Sequence, residues 1–305
     1  GVVTYREHFA RVTYNLALVQ SAAGELEEAK KHVTDAAGLR HALLAEDEDD
    51  RQRLAALAEC YDLLREIEEQ RGDAPAALAA CEQLIELQKE LANESTDSQH
   101  AIPLAASFLS LANIQAATGD FTAAAAALTS AIATIGETAD PANDTPAGQL
   151  LPVATTARAE IHHELGKHEL AVKDWDEVLK LQANPLYELR RAVSIARGGD
   201  HASAAQVVAE MKTLHVDDAN TGLLLNAACV LSRAAEAAEG DEELQEAMRN
   251  ETAQQYLADA TALIHRNLAA EESMRDEFIA RLTHDPVLAY GQKTEAAQML
   301  FGEDQ

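Results

Sequence analysis

Five glycines, each followed five residues later by an alanine, recur along this chain and constrain its fold more than any other feature. The segments are Gly24–Ala29, Gly72–Ala77, Gly119–Ala124, Gly166–Ala171 and Gly199–Ala204, with glycine spacings of 48, 47, 47 and 33 residues. Glycine ends a helix readily because it adopts a positive φ without strain, and alanine lets two helices approach closely. Each segment therefore predicts two helices joined by a glycine turn.

Apolar positions repeat in the same register on both sides of each glycine. Nine residues after the glycine stand Val33, Cys81, Leu128, Trp175 and Val208, and three further on stand Ala36, Leu84, Ala131, Val178 and Met211. A large and a small residue precede the glycine, as Leu16-Ala17, Leu111-Ala112, Arg158-Ala159 and Arg191-Ala192, with Leu64-Arg65 in the second copy. These positions predict the faces on which the paired helices pack.

The composition favours an all-α chain. Hydrophobic residues make up 47 % of it and aromatic residues only 4 %. Alanine, leucine and glutamate dominate, and these residues lose little conformational freedom in a helix. Runs of alternating β-branched and polar residues, which a sheet needs, are missing from the sequence.

The repeated segments resemble the tetratricopeptide repeat (TPR) family, whose period is about 34 residues. The resemblance implies an all-α, TPR-like α-solenoid, a right-handed superhelix of helix-turn-helix hairpins, several with extended helices. Residues 1–218 are expected to hold about five hairpins, with units near 10–43, 58–91, 105–138, 152–185 and 185–218. The usual first-helix tryptophan and final proline are mostly absent, so the shared register carries the resemblance.

Residues 219–305 predict an atypical C-terminal hairpin with an acidic insert and capping helices. A first helix is expected over 220–231, an acidic insert over 235–250, and a second helix from Tyr256. Together with the tail Phe278–Leu288, these segments resemble the C-terminal end of TPR arrays in planctomycete-type bacterial serine/threonine kinases. The opening segment Tyr5–Ala17 resembles the repeat starts of the same proteins. The resemblance implies a regulatory or docking region of a larger protein, and the absence of an initiator Met at Gly1 fits that expectation.

Motifs that carry catalysis are missing, so no catalytic, cofactor-binding or metal-binding residue is predicted, and the chain is expected not to be an enzyme. The sequence lacks a kinase glycine-rich loop, a phosphate-binding GxxxxGK[ST] loop and a GxSxG elbow. His163 and His168 are five residues apart, which separates them by roughly 140° on a helix, and Gly166 interrupts that helix. Cys60 and Cys81 lie on the two helices of one predicted hairpin, where they are core residues or, as the alternative, a redox pair.

The charge limits the classes of partner. The chain has 52 acidic and 24 basic residues and a net charge of −28. Nucleic acids and anionic lipids need a basic face, so neither is expected as a ligand. No apolar run is long enough to insert into a membrane, and three cysteines in apolar settings suit a reducing compartment. We therefore expect a cytoplasmic protein or the soluble region of a membrane-anchored parent.

In the TPR family, ligand-contacting side chains come from particular first-helix positions on the concave face. Mapped onto this sequence, those positions are Arg11, Asn15, Glu59, Asp62, Glu66, Glu69, Asn113, Glu160, His163, Glu164, Arg190 and Arg197. The resemblance implies a groove with an acidic middle and a basic patch in the fifth unit, which binds a protein or peptide and favours a basic one. A clamp for a C-terminal carboxylate is not expected, because acids follow Asn15. The alternatives are a self-association or spacer module and an enzyme with an unrecognised site, and the sequence leaves the oligomeric state open.

Overall fold

Helices joined in pairs by glycine turns form the regular structure of this chain. The computed structural model describes residues 2–47, 50–93, 100–136, 145–213 and 221–270, and no strand occurs within these ranges. The helices of the first three hairpins are α1 (Val2–Ala22), α2 (Leu26–Leu44), α3 (Arg51–Arg71), α4 (Ala74–Asn93), α5 (Ala101–Ala117) and α6 (Phe121–Gly136). They are followed by α7 (Pro146–Glu164), α8 (His168–Leu181), α9 (Pro185–Arg197), α10 (His201–Thr213), α11 (Thr221–Glu239) and α12 (Glu246–Ala270). The predicted all-α fold of TPR-like hairpins is confirmed.

The five glycines of the repeated segments all lie at helix–helix turns, as predicted. Their φ angles are between 68° and 98°, in the left-handed region that side chains with a Cβ rarely adopt. At Gly72, which caps α3, the glycine N–H donates to the carbonyl of Glu69, and the N–H of Asp73 donates to the carbonyl of Glu68. These bonds satisfy carbonyls that the helix end would otherwise leave without a donor.

An aspartate directly after the glycine caps the second helix in three hairpins. Its side chain accepts a hydrogen bond from the backbone N–H three residues on, in the pairs Asp73–Ala76, Asp120–Ala123 and Asp200–Ser203, at 3.2, 3.0 and 3.0 Å. Glu25 and Lys167 hold the equivalent place in the other two hairpins and make no such bond. The residue after the glycine thus caps the second helix only where it is an aspartate.

The repeated apolar positions form the core. The alanines five residues after each glycine are fully buried, and so are the residues nine and twelve positions after it, apart from slight exposure of Met211. Trp175, the largest of these, is buried and stacks on Tyr187 of α9 with ring centroids 5.8 Å apart. These positions therefore lie on the packing faces of the second helices, as the sequence predicts.

The contacts divide the chain into an N-terminal unit, Gly1–Ile161, and a C-terminal unit, His162–Gln305. In the N-terminal unit, helices α1 to α6 pack each against the next in chain order. In the C-terminal unit, α9 packs against α8, α10 and α11, and α11 packs against α12. The predicted division at residue 218 follows the repeat pattern and stays a prediction.

The hairpin of α5 and α6 differs from the others in chemistry. Neither helix contains Asp, Glu, Lys, Arg or His, although the whole chain has a net charge of −28. Its exposed positions carry alanine, threonine and other neutral residues, and Asp120 in the turn is the hairpin's acidic group. Leu109, Leu128 and Ile135 fill the core between the two helices.

The C-terminal hairpin differs from the sequence prediction at its helix ends. Helix α11 continues to Glu239, and α12 begins at Glu246, ten residues before the predicted start at Tyr256. Ala235, Ala238 and Ala253 are buried against each other. Glu236 and Glu239 belong to α11 and Glu246 to α12, so only residues 240–245 form the acidic connection between the helices. Residues 48–49, 94–99, 137–144, 214–220 and 271–305, which include the tail segment Phe278–Leu288 and the region of the expected capping helices, lie outside the described residues.

Candidate partner-binding grooves

A cleft of about 630 Å³ opens between the first helices α1 and α3 of the N-terminal unit. Three of the predicted binding residues, Arg11, Asn15 and Glu59, line it. All three side chains are exposed, so their polar groups face the cleft and the solvent rather than the core. The cleft is the place in this unit where a partner segment can reach α1 and α3 together.

Arg40 of α2 forms the inner wall of this cleft. Its guanidinium lies 4.5 Å from the centre of the Tyr14 ring and 3.2 Å from Oε2 of Glu59, and it donates to the carbonyl of Ala56. Burial and the nearby Glu59 carboxylate raise the pKa of the Tyr14 hydroxyl to about 12, against the opposing effect of Arg40. Sequence reasoning missed Arg40, because it considered first helices only.

Arg53 fixes the outer end of the same cleft. Its guanidinium donates to Glu7 at 2.9 Å and to the backbone carbonyl of Leu43 at 2.8 Å, and it lies 3.2 Å from Asp50. With Arg40 and Arg53 present, basic groups balance the acids that line the cleft. The α1–α3 cleft is thus a polar site of mixed charge rather than an acidic one.

The predicted acids of α3 surround one buried arginine. Arg65 lies 2.7 Å from Asp62, 3.0 Å from Glu69 and 3.3 Å from Glu66. Burial alone would lower the pKa of Arg65, but its bonds to Asp62 and Glu69 outweigh this effect and raise it. Arg65 holds the position that alanine occupies in the four other hairpins. Its buried positive charge neutralises part of the negative charge of Asp62, Glu66 and Glu69.

A second cleft, of about 400 Å³, opens between α5 on one side and the C-terminal end of α3 with the start of α4 on the other, and we call it the α3–α5 cleft. Glu69 and Asn113, both predicted, line it together with Ser110, and Ala77 and Ile114 form its apolar floor. An apolar floor with a few polar groups at the rim is the arrangement that orients a bound side chain. The α1–α3 and α3–α5 clefts together bring five of the predicted residues to gaps between successive first helices.

In the C-terminal unit, predicted residues gather on one face of α9. Arg190, Ser194 and Arg197 follow each other at steps of four and three residues, which places them on one side of the helix. Nδ1 of His163 lies 3.2 Å from Oγ of Ser194, and the His163 ring meets that of His168 edge-on, with centroids 5.4 Å apart. We call the surface formed by Arg190, Ser194 and Arg197 of α9, together with His163 and His168, the α9 basic face.

The electrostatics of the α9 basic face are those of a concentrated positive charge. Burial, followed by the fields of Arg197, His168, Arg233 and Arg190, lowers the pKa of His163 to about 4, so this histidine is neutral near pH 7. Burial and the neighbouring Arg233 lower the pKa of Arg197, while the carboxylates Glu164 and Glu236 oppose that shift. Arg190 and Arg197 of the predicted basic patch thus lie on one side of α9, and the Glu164 carboxylate offsets part of the effect of Arg233 on Arg197. That this surface binds a partner stays a prediction.

Glu160 and the two cysteines Cys60 and Cys81 lie apart from the clefts and from each other. Glu160 is exposed on α7 and lines neither cleft. Cys60 packs with Val33 and Leu63, whereas Cys81 donates to the carbonyl of Ser107 on α5 at 3.4 Å, so the two thiols have different neighbours.

Within the described ranges, no three His, Cys, Asp or Glu side chains are grouped so that they could hold a metal ion. No described helix combines the length and the apolar character that crossing a membrane requires.

Comparisons with known proteins give likenesses to solved structures only. No protein-family model and no curated protein matches the chain. The apo form of RapI is similar at a TM-score of 0.49 and 11 % identity, over 96 % of this chain and 99 % of that one. Nearly identical TPR-like repeats of a putative kinesin light chain from Podosopora anserina are similar at 0.48 and 19 %, over 74 % and 100 %. YrrB, described as a TPR protein with an unusual peptide-binding site, is similar at 0.42 and 13 %, over 76 % and 97 %.

Proposed function

We propose that this chain is a non-catalytic scaffold that binds a segment of another protein in the grooves between its first helices. The observation that carries the proposal is the pair of clefts in the N-terminal unit. Both open between successive first helices, α1–α3 and α3–α5, and both are lined by exposed polar side chains above buried apolar ones. An extended or helical segment is the ligand that such grooves accept.

The walls of the clefts are held in place before any partner arrives. Arg40 and Arg53 each bond to a carboxylate and to a backbone carbonyl of neighbouring helices. Arg65 bonds to carboxylates of its own helix α3. A site that is already ordered loses less conformational entropy on binding, which favours affinity. Asn15 and Asn113, by contrast, are exposed and offer amide groups to a partner backbone.

The chemistry of α3 supports a partner segment with a basic residue. Three carboxylates, those of Asp62, Glu66 and Glu69, surround the single cation of Arg65 and leave an excess of two negative charges. A lysine or arginine of the partner would pair with one of these carboxylates and reduce the excess negative charge. The partner segment that we propose for the N-terminal unit therefore carries a basic residue. The α9 basic face of the C-terminal unit, taken by itself, suits an acidic residue.

The kinase context is a separate part of the proposal. We infer from the sequence resemblance described above that the chain is a docking or regulatory region of a larger bacterial kinase-like protein, either cytoplasmic or the soluble region of a membrane-anchored parent. The resemblance in Tyr5–Ala17 and in α11 supports this inference.

Site-specific photo-cross-linking tests the groove. A photoreactive amino acid replaces Asn15 or Asn113 in the clefts, and in the matched control it replaces Gln83, an exposed amide on the second helix α4. In cells that make the protein, we expect positions 15 and 113 to cross-link one partner segment, identified by mass spectrometry, and position 83 not to. A synthetic peptide of that segment is then titrated against wild type, Asn113→Arg and Gln83→Arg.

The titration has a defined expected result. Asn113→Arg should raise the peptide Kd at least about tenfold, because the larger side chain fills the α3–α5 cleft, whereas Gln83→Arg should leave it unchanged. Equal cross-linking from all three positions, or equal affinity of the two arginine variants, would reject the groove as the binding site.

A further inference from the structure

Helix α1 presents an apolar stripe that no part of the described chain covers. Of the eleven large hydrophobic side chains that are exposed in the described residues, eight belong to α1. Six of them form one line along the helix, namely Val2, Tyr5, Phe9, Val12, Leu16 and Val19, which we call the α1 stripe. They are between 43 % and 76 % exposed.

The spacing of the α1 stripe is that of a helix–helix seam. Its members follow at alternating steps of three and four residues, which is the pattern of a period of about 3.5 residues. This period keeps a line of side chains against a second helix along its whole length, since two helices that pack this way supercoil slightly. Tyr5 and Phe9 stack with parallel rings at the solvent surface, with centroids 6.4 Å apart.

Charged groups of α1 are directed away from the stripe. Glu7, the only acid of this helix, bonds to Arg53 of α3, Arg6 pairs with Glu46, and Arg11 lies 3.0 Å from the His8 ring. In a chain with 52 acidic residues, a surface without any is the one on which two copies meet with least repulsion.

The area of the stripe is close to what a specific interface requires. The exposed parts of its six side chains amount to roughly 600 Å² per copy, against about 800 Å² per partner in a typical stable interface, and flanking side chains add to it. Isolated exposed apolar residues are ordinary, but a contiguous patch of this size marks an interaction surface.

We propose that the α1 stripe is a homodimer interface, in which α1 of one copy packs against α1 of a second copy about a two-fold axis. A two-fold contact uses the same patch on both copies, and a stripe with this heptad-like period is complementary to itself in this way. The cleft residues of α1, Glu7, Arg11 and Asn15, lie on a different face of the helix from the stripe, so dimerisation and groove binding are independent.

Analytical ultracentrifugation over a series of concentrations tests the dimer. Wild type is expected to have the mass of two chains at high concentration and of one chain on dilution. Val12→Glu, at the centre of the stripe, should raise the dimer Kd at least about 100-fold, because the two-fold axis buries two carboxylates together. The matched control is Val153→Glu, since Val153 is 56 % exposed on α7 and Val12 is 61 % exposed.

Three outcomes overturn the proposal. The first is a wild-type chain that keeps the mass of a single copy at every concentration, and the second is equal dimerisation of Val12→Glu and Val153→Glu with unchanged helical circular dichroism. A Val12→Cys variant locates the contact, because a cysteine at this position is expected to cross-link two copies on oxidation. If this variant dimerises but forms no cross-link, the interface lies elsewhere and the proposal fails.

Discussion

The ammonium nitrogen of Lys30 lies 2.7 Å from Oε1 of Glu68, and this pair joins α2 to α3 across the first two hairpins. The Glu68 side chain is only 2 % exposed, so water barely reaches its carboxylate. Arg71 also bonds to Glu68, and its guanidinium reaches Glu27 of α2 at 2.6 Å. The contact between the hairpins thus combines apolar packing with a partly buried ionic network.

Removing one cation from this network should destabilise the fold. We expect Lys30→Ala to lower the free energy of unfolding by about 1–2 kcal/mol, because the buried Glu68 carboxylate loses one of its two bonded cations. Lys89→Ala, which breaks an exposed pair with Glu86, should change it by less than about 0.5 kcal/mol. Urea titration measures both, and equal effects would show that burial of Glu68 does not matter.

Two glycine substitutions should have opposite effects on stability. Gly72→Ala should cost about 1–2 kcal/mol, since φ is +74° there and alanine is strained in that conformation. Gly38→Ala, inside α2, should add about 0.5–1 kcal/mol, because alanine favours the helix. A Cβ meets no atom within 4 Å at either site, so backbone conformation alone separates them. Thermal or urea unfolding gives the sign, and a loss at both sites would contradict this reasoning.

Alkaline pH should weaken the N-terminal unit through its buried thiols. Burial raises the pKa of Cys60 to about 11 and that of Cys81 to about 12, from an ordinary value of 9.0. The folded state therefore favours the protonated thiols. Their contribution to stability is complete below pH 9 and is lost as the pH rises from 9 towards 11 and 12.

The Cys81→Ala variant checks this pH dependence. Its free energy of unfolding should start lower at pH 8, because a core side chain is shortened, but should fall less steeply than that of wild type above pH 9. Urea titrations at each pH supply the two curves. Parallel curves would mean that Cys81 does not contribute to the alkaline loss of stability.

Acid pH should weaken the α9 basic face through His163. Its pKa is lowered from 6.5 to about 4, so the folded state favours the neutral ring. The stability it contributes is present above pH 6.5 and is lost as the pH falls from 6.5 towards 4. In an NMR titration the His163 ring protons should shift only below pH 5, and His163→Gln should reduce the loss of stability over this range. A His163 midpoint near 6.5 would contradict the buried, electropositive setting.

The repeat register could be predicted from sequence because the turn imposes it. A positive φ selects glycine, and close helix contact selects alanine. The sequence therefore shows a glycine at 24, 72, 119, 166 and 199, each followed five residues later by an alanine. The start of α12 could not be predicted in the same way. Helix α12 begins in an acidic segment that resembles a loop, and only the packing of Ala253 against Ala235 and Ala238 reveals the helix.

Five of the twelve residues predicted for the concave face line the clefts, and their binding role stays a prediction. First-helix register placed Arg11, Asn15, Glu59, Glu69 and Asn113 in the clefts. The compensating cations come from Arg40 on a second helix and from Arg65 beneath the surface. Arg65 stands out in the sequence because it replaces the repeated alanine, but the sequence does not show which acids it pairs with, and Arg40 has no such signal. The α1 stripe is visible in the sequence as apolar residues at alternating steps of three and four. The same spacing occurs in a helix face that packs into a core. Only the exposure of these side chains in the structure shows that the stripe is not a core face.

The local stability of the uncharged α5–α6 hairpin should respond less to salt and pH than that of the charged hairpins. Added salt screens ion pairs and protons titrate carboxylates, but neither acts directly on side chains of alanine, leucine, serine and threonine. Hydrogen exchange of the α5 and α6 amides should therefore stay constant across ionic strengths that change exchange in the ion-paired helix α3. This stretch provides an internal reference, within the same molecule, against which every electrostatic effect on the remaining hairpins can be measured.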